Sequence, residues 1–195
     1  MKLPIQPIWI FLLVALVQLA APASMILGRE AVLRKGKAFH FESAPVDPND
    51  PFRGKYITLS YKATTFPITD PDAWTYNQDV FVLLDTDSAG FARIAGVLPE
   101  APEGSTDYLR ARVSYIDRQE TSTALVIDYP FDRFYMDEFK AKEAELAYNE
   151  SLADTLRTYA VVHVKDGQAV LADVMIDDRS IREWVKERQQ QDIMP

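Results

Sequence analysis

Cysteine is absent from this 195-residue chain, and histidine occurs only twice, as His40 and His163. The first absence excludes a disulfide framework, thiol catalysis and a thiolate metal site. The second leaves no H-E-x-x-H pair, and neither a G-x-S-x-G elbow nor a phosphate-cradling glycine loop occurs. Internal repeats and low-complexity segments are missing too. Basic charge is in the minority. Lys2 is the only charged side chain before Arg29, so the remainder carries 20 basic against 29 acidic residues. A surface of that balance repels nucleic acid and anionic lipid, so both are disfavoured as partners, and no nucleic-acid partner is expected.

What is present suits one ordinary folded domain behind an apolar leader. Apolar residues make up 48% of the chain and charged ones 26%, enough to bury a core without the composition of a disordered protein. Residues 5–27 carry no charge, and 23 residues as a helix reach about 34 Å, the depth of a hydrocarbon core. Pro4 and Pro7 sit where a first helical turn tolerates proline, Pro22 is expected to kink the far end, and Trp9 suits an interface. Ala21-Pro22-Ala23 is the competing signal, a cleavage site of A-x-A form. The apolar run continues through Met25-Ile26-Leu27, and a proline between the alanines is awkward for cleavage, so retention as an anchor is the reading adopted. Counted simply, Arg29, Arg34, Lys35 and Lys37 would hold the following domain in the cytoplasm. A signal-like first segment with a short amino terminus, followed by a long acidic domain, favours the extracytoplasmic side instead.

The domain is organised around residues 45–61. Pro45, Pro48 and Pro51 forbid a helix, while Asp47, Asn49 and Asp50 favour turns by bonding back to nearby amides. Gly54 then releases the chain into a strand read over residues 56–65. Ile57, Leu59 and Tyr61 share the core face, which leaves Tyr56 on the other face or placed by a bulge near Gly54.

Gly54-Lys55-Tyr56-Ile57-Thr58-Leu59-Ser60-Tyr61 resembles the signature of the GDYXXLXY family, with Lys55 in place of the usual aspartate. The lead-in from Pro45 to Gly54, and Arg133-Phe134-Tyr135 with Asp137 and Glu138 downstream, resemble the same family. The resemblance implies a bacterial, membrane-anchored protein with an uncleaved helix, and family members are thought of beside multi-spanning membrane partners. It carries over no catalytic residue.

Elsewhere the pattern predicts short strands over residues 37–43, 79–84, 91–97, 108–116 and 123–129, with residues 67–73 a turn-rich loop. Asp79 to Leu84 is apolar on both faces, as in a buried central strand. A helix of about fifteen residues follows Glu138, with Phe139, Ala144, Leu146, Ala147 and Tyr148 as its apolar positions. Asp166-Gly167 between residues 158–165 and 168–176 is a two-residue hairpin signal. A last helix begins at Ser180, with Glu183 completing a capping box and Ile181, Trp184 and Val185 forming a stripe. The expected fold class is therefore α+β, mainly β: a transmembrane helix and its extension over residues 1–36, then one antiparallel β-rich domain over residues 37–195 with an inserted and a C-terminal helix.

For chemistry the chain offers little. His163 shares parity with Tyr159 and Val161 and reads as a core histidine; His40, between two phenylalanines, also reads as structural. Asp85 and Asp87 faintly suggest a calcium loop, but Ala89 and Gly96 stand where its ligands should be, so a hairpin turn is expected. Ser24 with Lys55 or Lys62 is a weak candidate peptidase dyad. No cofactor, metal or catalytic residue is assigned. The candidate site is a docking surface made of Asp47, Asp50, Arg53, Tyr56, Tyr61, Arg133, Tyr135 and Glu138, on the expectation that the Arg133 segment pairs with the region from Asp47 to Tyr61. The function expected is a non-catalytic accessory or binding protein at the inner membrane, anchored by its helix and docking on an integral membrane protein. The alternative is a hydrolase using the Asp47 and Asp50 carboxylates, with or without a divalent cation.

Overall fold

A computed structural model describes residues 7–45, 56–104, 107–119 and 122–191. Helix α1 (Pro7–Lys35) leads into strand β1 (Lys37–Ala44), then β2 (Tyr56–Thr58), β3 (Ser60–Tyr61) and β4 (Thr65–Ile68). After a single 3-10 turn (Pro71–Ala73) come β5 (Asp79–Thr86), β6 (Ala92–Leu98), β7 (Tyr108–Arg118), β8 (Thr123–Asp128) and β9 (Arg133–Tyr135). Helix α2 (Glu138–Ala153), strands β10 (Thr158–Lys165), β11 (Gln168–Ile176) and β12 (Arg179–Ser180), and helix α3 (Ile181–Gln191) complete the chain. The class is mainly β with helices, all strand pairing within the sheets being antiparallel.

Helix α1 continues across Pro22 to Lys35. Its apolar side chains up to Leu27, among them Trp9, Phe11, Leu16 and Leu19, lie exposed rather than packed on the domain. The helix is long and apolar enough to cross a membrane. Only its last two turns dock: Val32 is buried, and the Gly36 amide closes the helix by donating to the Val32 carbonyl at 2.7 Å. A β-carbon on Gly36 would lie 2.5 Å from that carbonyl oxygen and 3.0 Å from the Val164 carbonyl oxygen, so the helix meets the sheet at a spacing that glycine permits.

Two five-stranded sheets, ordered β12-β11-β10-β1-β3 and β4-β8-β7-β5-β6, share one core, and β2 and β9 form a separate ribbon. The first sheet turns Phe39, Phe41, Val162, Val164, Val174 and Ile176 into that core, and the second turns in Val80, Val82, Leu109, Ala111, Leu125 and Ile127. Residues 56–65 read as one strand, but residues 56–61 fold as two and Thr65 opens a third. Tyr56–Thr58 pairs with Arg133–Tyr135, while Ser60 and Tyr61 pair with Ala44 and Ser43. The change of partner falls at Leu59, whose amide donates instead to the Asp132 carbonyl at 2.8 Å.

Beside this switch, Phe41, Tyr61, Tyr129 and Phe131 gather into one cluster. Phe41 meets the other three rings at centroid distances of 5.4, 5.3 and 5.0 Å, and Tyr129 stacks on Phe131 at 5.1 Å. The hydroxyls clasp the two segments reciprocally. Tyr61 donates to the Phe131 carbonyl at 2.8 Å, and Tyr129 donates to the Ala63 carbonyl. Burial raises the pKa of both phenols, so they stay protonated donors.

Several expectations need correction. Pro67 and Ile68, expected in a loop, belong to the edge strand Thr65–Ile68, and an edge is where a strand can hold a proline. Phe81 and Leu83 are only half-buried, because β5 buries a single face. Leu146 is exposed; the buried line of α2 runs through Ala141, Ala144, Ala147, Tyr148 and Ser151. The Asp166-Gly167 hairpin and the boundaries of β10 and β11 are as predicted, with both turn residues at positive φ. At α3, the Ser180 hydroxyl accepts from the Arg182 amide at 3.2 Å.

If the clasp fixes the sheet crossing, Phe41→Ala should cost about 3–5 kcal/mol by opening a cavity, and Tyr61→Phe about 1–2 kcal/mol by orphaning a buried carbonyl. Urea unfolding of the full chain in detergent reads both, as lowered midpoints with an unchanged slope.

Candidate functional site

Alternation along the β2–β9 ribbon separates a core face from a display face. Ile57 and Phe134, paired across the ribbon, are 1% and 3% exposed and enter the core. Tyr56, paired with Tyr135, and Thr58, paired with Arg133, point the other way. The tyrosine rings lie 5.6 Å apart, and the Arg133 guanidinium sits 5.1 Å from the Tyr56 ring centre. Tyr135 is 64% exposed. The guanidinium holds its proton more firmly than usual, first through the Tyr135 hydroxyl and then through Asp132. Two amphipathic rings and a stacked cation make a platform able to cover an apolar surface and meet a carboxylate at its rim.

The candidate residues are thus partly assembled. Tyr56, Arg133 and Tyr135 lie together, as the expected pairing of the two segments requires. Tyr61 is 4% exposed and belongs to the core, so it supports that surface without being displayed on it. Glu138 opens α2 after β9, but its side chain is outside what is described, and Asp47, Asp50 and Arg53 lie outside the described residues altogether.

A second cluster was missed by sequence reasoning. His40 lies 4.8 Å from the Tyr159 ring, and the Tyr159 hydroxyl donates to Asp178 at 2.8 Å. Arg157 spans Phe91 and Tyr159 at 5.0 and 5.7 Å, with Asp178 at 3.8 Å. Burial, and then the bond to Asp178, push the Tyr159 phenol up to about 12. The His40 pKa is lowered, first by burial and then by Arg157, with Asp178 opposing. Asp177 and Asp178 both adopt positive φ in the tight turn from β11 to β12. That Asp-Asp pair ahead of Ser180 was the available signal. Hydrogen bonds, an ion pair and ring contacts account for the cluster as a brace between turn and sheet.

The remaining sites resolve structurally. His163 is half-buried rather than core, because its strand parity belongs to the outer face of β10, and its Nδ1 has no partner among the described residues. Asp87 spends one oxygen on the amides of Ala89 and Phe91, and Asp85 is bound to Arg93, as expected of a hairpin turn. Among the described residues no group of three or more metal-ligating side chains is placed to hold an ion. Ser24 donates to the Ala21 carbonyl within α1, and Lys62 pairs with Glu42 at 2.6 Å, so these two form no dyad; Lys55 is outside the described residues.

A family model described as GDYXXLXY protein matches residues 18–174, from the middle of α1 into β11. No curated protein and no solved structure matches the chain.

With its pKa lowered from 6.5, His40 binds fewer protons folded than unfolded. The stability it contributes is present above that value and lost as pH falls through the folded pKa. Between about pH 7 and about pH 5, the unfolding midpoint should therefore fall more steeply for the native chain than for His40→Gln. Parallel profiles would remove His40 as the cause.

Proposed function

We propose that this chain, which belongs to the GDYXXLXY family, is a single-pass membrane-anchored accessory protein. Its β-rich domain stands on the extracytoplasmic face of the inner membrane. There it docks, without catalysing a reaction, on an integral membrane partner through the platform of Tyr56, Arg133 and Tyr135. The observation that carries this reading is the display of two tyrosines and an arginine on a ribbon whose opposite face is fully committed to the core. Tyrosine and arginine are the residue types over-represented among interface hot spots. The exposed apolar stretch of α1 supports anchoring, since nothing else in the described residues covers it. The acidic balance of the domain supports translocation, and the motif's position on the ribbon supports docking there.

Two experiments test the reading. A photo-crosslinking residue in place of Tyr135 should give a discrete membrane-protein adduct in native membranes, weakened by Arg133→Glu. The same residue in place of Tyr115, which is 55% exposed on β7, should not. Equal adducts from both positions would refute docking by the ribbon. For sidedness, the cysteine-free chain with Asp154→Cys should react with a membrane-impermeant maleimide in intact spheroplasts. Reaction only after lysis would put the domain in the cytoplasm.

A further inference from the structure

The charge count disfavours anionic lipid, yet one cavity runs against it. A space of about 640 Å³ opens between the end of α1, strand β7 and the start of β11, lined by Arg29, Arg110, Arg112, Asp79, Asp128 and Gln168 among others. Its position follows from the sequence. Arg29 is the first charged side chain beyond the apolar run of α1, within one helical turn of the exposed Leu27. Arg110 and Arg112 are alternate residues of β7, and their neighbours Leu109, Ala111 and Val113 are buried, so the core holds both arginines outward on one face. The cavity is also braced. The Arg110 amide donates to the Gly167 carbonyl at 2.9 Å and the Gly167 amide to the Tyr108 carbonyl at 3.2 Å, tying the β10–β11 hairpin to β7.

Within it, charge is unbalanced. Arg110 and Arg112 share the single Asp79 carboxylate at 3.3 and 3.4 Å, one N–H group of each meeting it, and a guanidinium carries five N–H donors. Arg29 has no ion partner among the described residues, and neither has Asp128. Among the described lining residues, three guanidiniums against two carboxylates leave one positive charge in excess, at the place where the helix leaves the apolar segment.

We infer that this cavity seats the phosphate of an anionic phospholipid headgroup in the leaflet from which α1 emerges. Arg110 and Arg112 form a fork on its oxygens, and Arg29 closes it from the helix side. Guanidinium is the side-chain group that meets phosphate bidentately, and its aliphatic stem lets Arg29 reach along the interface. A choline headgroup would bring a fixed cation into a site already cationic, whereas a net anionic headgroup neutralises the excess. The inference rests on α1 remaining in the membrane and is independent of docking through the ribbon.

The test uses the full chain. Membranes are first washed with alkaline carbonate; release of the chain there refutes anchoring and this inference together. The retained chain is then examined by native mass spectrometry from micelles doped with equal phosphatidylglycerol and phosphatidylcholine, and separately with inorganic phosphate. The expected result is one phosphatidylglycerol held per chain in preference to phosphatidylcholine. Its occupancy should drop at least about tenfold in Arg110→Gln/Arg112→Gln and persist in the charge-matched Arg93→Gln/Arg118→Gln. A retained chain that holds both lipids equally, keeps phosphatidylglycerol in both double variants, or takes up inorganic phosphate but no lipid overturns the inference while leaving the anchor intact. Circular dichroism of the Arg110→Gln/Arg112→Gln chain guards against misfolding, and the single variant Arg29→Gln, on the exposed helix face, should lower occupancy by itself.

Discussion

The architecture depends on four aromatic rings and the two hydroxyls they carry. Phe41, Tyr61, Tyr129 and Phe131 come from β1, from β3 and from the segment joining β8 to β9, so the cluster is where both sheets and the ribbon meet. Aromatic pairs contribute about 0.5–1.5 kcal/mol beyond the area they bury, and the four rings make six such pairs. The hydroxyls decide the geometry. Each tyrosine donates to a backbone carbonyl on the other's segment, which fixes residues 61–63 against residues 129–131. Neither segment can slide without leaving a buried polar group unpaired.

This clasp gives the family signature a physical meaning. Tyr56 faces outward, Leu59 and Tyr61 face inward, and Leu59 is the residue at which the chain exchanges the ribbon for the sheet. In an uninterrupted strand, Leu59 would continue the ladder with one neighbour. Here its amide bonds Asp132, while Ser60 and Tyr61 are already paired with Ala44 and Ser43. A leucine at the crossing fills the core, and a tyrosine two residues on locks the result. The spacing therefore encodes a change of partner together with its lock, and the outward Tyr56 is free for a separate use.

What could be read from the sequence was what local chemistry decides. Asp166-Gly167 specifies a tight turn by its need for positive φ, and Ser180 marks a helix start by what its hydroxyl can bond. The apolar run predicted α1, and the parity of Ile57, Leu59 and Tyr61 predicted their burial. Properties set by distant partners were not legible. Pro67 looked like loop because its suitability depends on lying at an edge, which only pairing with Ala124 reveals. Leu146 looked apolar enough to bury, but α2 turns its alanines inward. His163 followed the parity of Tyr159, yet Tyr159 is buried by Phe91 and His40 arriving from elsewhere, a cover that does not extend to His163. The candidate surface divides in the same way: pairing joined Tyr56 to Arg133 and Tyr135, and core packing withdrew Tyr61.

The same reasoning explains why helix and domain act as one mechanical unit. A free linker after an anchor would let the domain tumble and bring any of its faces to the bilayer. Here Val32, in the last turn of the helix, is buried against the domain, and Gly36 passes so close to Val164 that a single β-carbon would crowd it. The next residues are already paired, Lys37 with Val164 and Ala38 with His163. With no slack between helix and sheet, the direction of α1 sets the direction of β1, and β1 carries Phe41 into the clasp. The direction of the helix is thereby transmitted to the sheet through buried residues. A domain held on a helix without slack has little orientational freedom left to lose in any association, which lowers the entropic cost of associating.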